Sequence, residues 1–229
     1  MKPLIRGISS MATRQVLAEI TAAYEQRAAC TVQIESVGGV DAAKRVQGGE
    51  AFDVVILASD AIAGLANTGA VVAGSTVDLV RSGVAVAVRA GANRPDISSE
   101  DALRRAVLAA RNISYSTGPS GVALTNLFER WGVSELLKGR IVTPPPGIPV
   151  GSLVASGEVE LGFQQLSELI HVEGIVLLGT LPPEVQIITT FTGGVCATAK
   201  QPDTVRALLA FMASPDTADA KRRQGMDPA

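Results

Sequence analysis

Phe52-Asp53-Val54-Val55-Ile56-Leu57-Ala58-Ser59-Asp60 decides the fold. Phe52–Leu57 has the near-continuous apolar character of a strand covered on both faces. Ser59-Asp60 then reads as the cap of a helix that ends near Gly69. A strand that runs directly into a helix is half of a crossover unit, so the surrounding sheet is expected to be parallel. The residues upstream repeat the arrangement. Leu4–Ile8 is a short strand ended by Ser9-Ser10, and a helix follows from about Met11 to Arg27 with Val16, Leu17, Ile20 and Tyr24 on one face. Thr31–Ser36 is a second strand, stopped by Gly38-Gly39 and followed by a short helix over Val40–Val46. Downstream, Gly83–Val88 is again apolar on both faces.

The pattern restarts beyond Pro95. Ser98-Ser99-Glu100-Asp101 caps a helix to about Ala110, Asn112–Ser116 is a strand, and a helix opens at Ser120 and runs to Trp131. Ile141-Val142 begins a strand before Pro144-Pro145-Pro146, and a helix over Val150–Ala155 leads to a strand over Val159–Phe163. Strands over Val185–Thr190 and Val195–Ala199 and helices over Thr204–Met212 and Asp216–Gln224 complete the chain. The expected fold class is α/β in two lobes, each a mostly parallel sheet flanked by helices, with a ligand cleft between them. Lobe I comprises residues 1–80 plus 190–229, lobe II is the inserted residues 90–180, and 81–89 and 181–189 are crossing strands.

Composition narrows the function. The 229 residues carry 20 Lys+Arg against 22 Asp+Glu, so no basic face is available for a nucleic acid. Five Phe, two Tyr and one Trp are too few for a stacking platform. The single histidine, His171, and two distant cysteines, Cys30 and Cys196, exclude the usual His/Cys zinc site. No cofactor and no metal are expected, the cysteines read as small buried hydrophobes, and His171 reads as a structural residue at a helix end. The longest apolar stretches, Val54–Ala58 and Val84–Val88, fall far short of the roughly 18 residues of a membrane span, so no membrane insertion is expected. No h-region follows Met1-Lys2-Pro3, which leaves two compartments open: cytoplasmic if Met1 is the native start, periplasmic if a signal peptide has been removed.

In open α/β sheets, ligands sit at the carboxyl ends of strands, where helix N-termini converge. The residues in those positions are Ser9-Ser10, Gly38-Gly39, Ser59-Asp60, Thr117-Gly118-Pro119-Ser120-Gly121 and Gln164-Gln165. Backbone N–H groups and neutral hydroxyl or amide donors there suit a small anion, although Ser, Thr, Asp and Gly are also ordinary cap residues. Arg14 stands in the first turn of the first long helix. It reads either as a cation for a ligand carboxylate or as a solvated side chain paired with a nearby acid. Nucleotide chemistry is excluded, because Gly69…Gly74-Ser75-Thr76 has serine where a phosphate-binding loop needs lysine. Gly118-Pro119-Ser120-Gly121-Val122 lacks the second glycine of a nucleophile elbow.

The order of elements resembles the type II periplasmic binding proteins, within them the molybdate-binding-protein-like branch of extracellular solute-binding proteins. Ile8-Ser9-Ser10-Met11, Phe52–Asp60, Ser82–Val88 and the run from Ala207–Met212 to Gly225-Met226 carry the resemblance. It implies an anion held by Ser9 or Ser10, then Gly38-Gly39, then Gly118–Gly121, then Gln164 or Gln165, in the binding component of an ABC-type uptake system. An ABC transporter permease is then the partner, and a monomer is expected. Gly38-Gly39 stand where molybdate binders offer a serine, and Gln164-Gln165 stand near the place of a tyrosine. Those departures favour a planar carboxylate. A related branch contains isomerases of small unsaturated tricarboxylates such as aconitate, which implies a cofactor-free enzyme as the alternative. Proton transfer across an allylic system needs an acid/base group. Only Glu35 and Asp60 lie near strand ends, and neither is well suited.

Overall fold

The computed structural model describes residues 2–145 and 147–229, so Met1 and Pro146, the last proline of the expected strand stop, lie outside the described residues. The chain divides into two compact units: the part up to Ser82 together with Thr189–Ala229, and Gly83–Ile188.

In the first unit, β1 (Leu4–Ser10) leads through a 3-10 turn into α1 (Arg14–Arg27), β2 (Thr31–Val37) into α2 (Gly39–Gln47), and β3 (Val54–Ala58) into α3 (Ser59–Asn67). β1 pairs in parallel with β2 on one side and β3 on the other. The carboxyl ends of these three strands, each followed by a helix, therefore lie side by side. Alternation along β3 builds the layers. Val54 and Ile56 enter the core with Val16, Leu17 and Ile20 of α1, whereas Val55 and Leu57 enter another with Ala42 and Val46 of α2 and Ile62 and Leu65 of α3. All four β3 side chains are buried, each contributing roughly 1.5–3 kcal/mol of hydrophobic stabilisation.

The second unit uses the same device. β4 (Val77–Arg89) begins in the first unit and continues into the second, where α4 (Glu100–Ala109), β5 (Ile113–Tyr115), α5 (Pro119–Arg130) and α6 (Ser134–Leu137) follow. Then come α7 (Val150–Ser156), β6 (Leu161–Gln165), α8 (Leu166–Leu169) and β7 (Ile175–Thr180). Val84, Val86 and Val88 pack with Leu103, Val107, Leu124 and Phe128 of α4 and α5; Ala85 and Ala87 pack with Val150, Leu153 and Val154 of α7. β8 (Ile188–Val195) returns the chain to the first unit, where it pairs antiparallel with β3. α9 (Pro202–Ala213), α10 (Ala218–Arg223) and β9 (Asp227–Pro228) follow, β9 pairing with β4.

Several expectations need correction. Only β5 and β6 run parallel among the named strands of the second unit; β4 pairs antiparallel with β6 and β7, so that sheet is mixed. β4 follows α3 and then runs opposite to both β6 and β7. The strand expected at Val159–Phe163 is Leu161–Gln165, because the Val159 N–H donates to Leu153 and holds Val159 in the turn after α7. Val185 belongs to a 3-10 turn, β8 stops at Val195, and Ile141 forms only an isolated bridge to Ile113. β7 had no sequence expectation. The final helix is Ala218–Arg223, preceded by a 3-10 turn over Pro215–Thr217.

Candidate functional site

In the first unit, parallel pairing sets Ser9 of β1 opposite Ser36 of β2, and their hydroxyls hydrogen-bond at 2.9 Å. Ser9 is fully buried. Ser10 occupies the cap position of the 3-10 turn, yet its hydroxyl caps nothing. The Ser10 carbonyl accepts from the Thr13 hydroxyl at 3.0 Å, while Ser10 Oγ is buried without a hydrogen-bond partner among the described residues. A buried hydroxyl left so costs about 1–3 kcal/mol, and such a group in a native fold calls for a specific reason. A Cβ built on Gly39, the first residue of α2, would lie 3.7 Å from Ser10 Cβ, so the start of α2 borders Ser10. Gly38 caps α2 and is exposed.

Ser59 corrects another expectation. Ala58 is the cap residue of α3, and Ser59 is its first helical residue and exposed. Among the described residues no side chain caps that helix, and Asp60 accepts from the adjacent Ala61 N–H, at 2.9 Å. Arg14 is exposed at the first position of α1 and forms no ion pair among the described residues, so the paired-acid reading fails. Glu35 is spoken for: Arg45 bonds both its oxygens, at 2.8 and 3.0 Å, and holds its carboxyl below the usual range.

In the second unit, Thr117-Gly118-Pro119-Ser120-Gly121 forms the turn from β5 into α5. Gly118 is the cap residue, Pro119 opens the helix, and Thr117 is exposed. Ser120 is buried and its hydroxyl lies 2.9 Å from that of Ser116. Gly121 is required: a Cβ there would sit 1.7 Å from the Ser116 carbonyl oxygen. The close approach draws the turn tightly onto the first turn of α5.

Gln164 and Gln165 are the last two residues of β6, not residues beyond it, so their side chains point to opposite faces. Both are buried. Gln164 shares its face with Gly162, where a Cβ would collide with Val150 and Val154 of α7. Its Oε1 accepts from the Gly151 N–H at 3.2 Å, and its Nε2 donates to Glu168 Oε1 at 2.9 Å. Burial raises the Glu168 carboxyl to about 7, only partly offset by the Gln164 bond. Sequence reasoning overlooked Glu168 and Ser36. The spacing of four between Gln164 and Glu168, and a serine at the end of the second strand, were the available signals.

His171 follows the short α8 in an exposed turn, and Cys30 and Cys196 are buried free thiols. Among the described residues no group of three or more His, Cys, Asp or Glu side chains is placed to hold a metal ion. No helix there is long and apolar enough to cross a membrane. An open cavity of about 330 Å³ in the second unit is lined by Arg94, Pro95, Asp96, Ile97, Ser98, Leu177 and Leu178, none of them a candidate residue.

The sequence model for the family described as bacterial extracellular solute-binding protein matches residues 5–227. An aconitate isomerase from a Pseudomonas species is 37% identical over 229 aligned positions, spanning 96% of this chain and 86% of the relative. Among solved structures, the periplasmic molybdate-binding protein of Azotobacter vinelandii superposes with a TM-score of 0.80 at 19% identity, over 97% of this chain and 98% of that one. The sulfate-binding protein of Mycobacterium tuberculosis gives 0.80 at 16% identity, over 99% and 87%. These likenesses establish the type II periplasmic-binding-protein fold. The chain belongs to the bacterial extracellular solute-binding protein family.

Proposed function

We propose that this member of the solute-binding family binds a small unsaturated tricarboxylic acid of the aconitate type and isomerises it by moving its double bond. The observation that carries the reading is the 37% identity to an aconitate isomerase along 96% of the chain, against 16–19% to the molybdate and sulfate binders. The local chemistry supports it. In the first unit, Ser9, Ser10, Gly38, Gly39, Ser59 and Arg14 supply hydroxyls, helix N-termini and a cation to carboxylate groups. In the second, Thr117, Gly118, Ser120 and Gly121 at the start of α5 supply hydroxyls and N–H groups and Gln165 an amide, while Gln164, held by Gly151 and Glu168, closes the site behind them. Moving a double bond along a three-carbon unit needs only proton transfer, so side-chain acid/base chemistry is sufficient.

Incubating the protein with cis-aconitate and following trans-aconitate by proton NMR tests the reading. Protein-dependent approach to the same mixture from either isomer is the expected result. No conversion from either side overturns it.

Family membership favours a second reading, in which the chain binds the acid without turnover, outside the cytoplasm, and delivers it to an ABC transporter permease. Saturable binding of aconitate or citrate by calorimetry, with no conversion over hours, selects that reading.

A further inference from the structure

Gln164 has a determined orientation. Gly151 can offer it only an N–H, so Oε1 must face α7 and Nε2 must face Glu168. Glu168 Oε1 is therefore always an acceptor, at 2.9 Å, and any proton the carboxyl carries sits on Oε2. Oε2 takes no part in that bond, and Glu168 is half-buried. One oxygen is held and the other is available, at the carboxyl end of β6 where α8 begins.

We propose that Glu168 is the proton carrier of the isomerisation: Oε2 takes a proton from the methylene carbon of the bound tricarboxylate and returns it to the far end of the allylic unit, with Gln164 fixing Oε1. The assignment rests on the isomerase reading. In the step, the methylene C–H bond breaks and its electron pair enters the allylic system conjugated with a carboxylate. The double bond moves by one carbon and a C–H bond forms at the former vinyl carbon. The proton count is unchanged, and nothing is oxidised or reduced.

The surroundings suit a carboxyl that must both take and give a proton near neutrality. β6, whose Gln164 bonds it, and α7, whose Gly151 bonds the same Gln164, contain no Asp, Glu, Lys, Arg or His. The titratable groups nearest in sequence, His171 and Glu173, are both exposed, and neither contributes to the shift of its carboxyl to about 7. Glu35, by contrast, is tied to Arg45, and Asp60 is exposed on α3.

The test compares wild type with Glu168→Gln and Glu168→Asp, using aconitate turnover across pH, deuterium incorporation from D2O, and citrate-induced thermal shift. Glu168→Gln keeps an acceptor for Gln164 Nε2 but cannot carry a proton. The expected result is turnover about 10²- to 10⁴-fold lower, with citrate binding within about threefold of wild type. Glu168→Asp is expected to retain measurable turnover with a displaced pH limb, and wild-type product formed in D2O is expected to carry less than one deuterium per turnover, because Oε2 returns the proton it removed. An active wild type whose Glu168→Gln variant stays within tenfold overturns the assignment and leaves the isomerase reading standing. An inactive wild type overturns that reading, and the assignment with it. Should Glu168→Gln fail to fold, Glu168→Asp decides: an unchanged rate and pH limb overturn the assignment.

Discussion

Gln164 Nε2 donates to Glu168 Oε1 at 2.9 Å, and this bond joins the end of β6 to a carboxyl on α8 that burial has raised to about 7. A carboxyl raised from its ordinary 4.5 binds more protons in the folded than in the unfolded chain between those two values. Its contribution to stability is full below about 4.5 and is lost as pH rises through about 7. Glu168→Gln removes that loss. The variant should melt at nearly the wild-type temperature at pH 4.5 and above it at pH 8, with a difference of order 1–3 kcal/mol. Melting curves at the two pH values check the sign.

Ser10→Ala should weaken ligand binding roughly ten- to a hundredfold, because a hydrogen bond to a charged carboxylate is worth about 1.5–3 kcal/mol. Its effect on the unliganded fold should be small, since the Ser10 hydroxyl has no hydrogen-bond partner to lose among the described residues. Calorimetric titration with aconitate and a melt without ligand measure the two effects separately. A stability loss of about 1 kcal/mol with unchanged affinity would show the hydroxyl to be an ordinary helix cap.

Gly121→Ala should cost about 3 kcal/mol or more. The added Cβ meets the Ser116 carbonyl oxygen at 1.7 Å, and that atom is backbone rather than a side chain able to swing aside. Urea denaturation measures the loss, and a shift in midpoint at constant slope identifies it as destabilisation of the native state.

Lys221 is 1% exposed, and its Nζ has no hydrogen-bond partner among the described residues. Desolvation lowers its pKa from 10.5, so its contribution to stability is present above that value and is lost as pH falls. Lys221→Met, which keeps the stem and removes the amine, should stabilise the protein by about 1 kcal/mol or more at pH 7. The gain should shrink as pH approaches 10. Melts from pH 6 to pH 10 follow it.

The layering of both units was legible in Val54–Leu57 and Val84–Val88, because side chains alternate across a strand and a doubly covered strand must be apolar at every position. The turn residues Ser9-Ser10, Gly38-Gly39 and Gly118–Gly121 were legible for a similar local reason: a helix start after a strand demands short polar residues or glycine. β7 was legible too, in the apolar run Ile175–Leu178 between Gly174 and Gly179, and sequence reasoning missed it. The two-residue displacement of β6 escaped because one hydrogen bond of the turn after α7, from Val159 to Leu153, sets where that strand begins.

Ser10 could be placed by sequence at the end of a strand, but whether its hydroxyl would cap the following turn depended on the φ and ψ the turn adopted. Glu168 shows the division most clearly. The chain order puts it four residues after Gln164, and nothing in Leu166-Ser167-Glu168-Leu169 distinguishes it from a solvated glutamate. Its character comes from the helix α7, laid over the same face of β6 because Gly162 leaves room for Val150 and Val154. Local pattern determines which segments become strands and helices, because periodicity and capping act over a few residues. The protonation of a carboxyl depends on what excludes water from it, and that is settled only when distant segments pack.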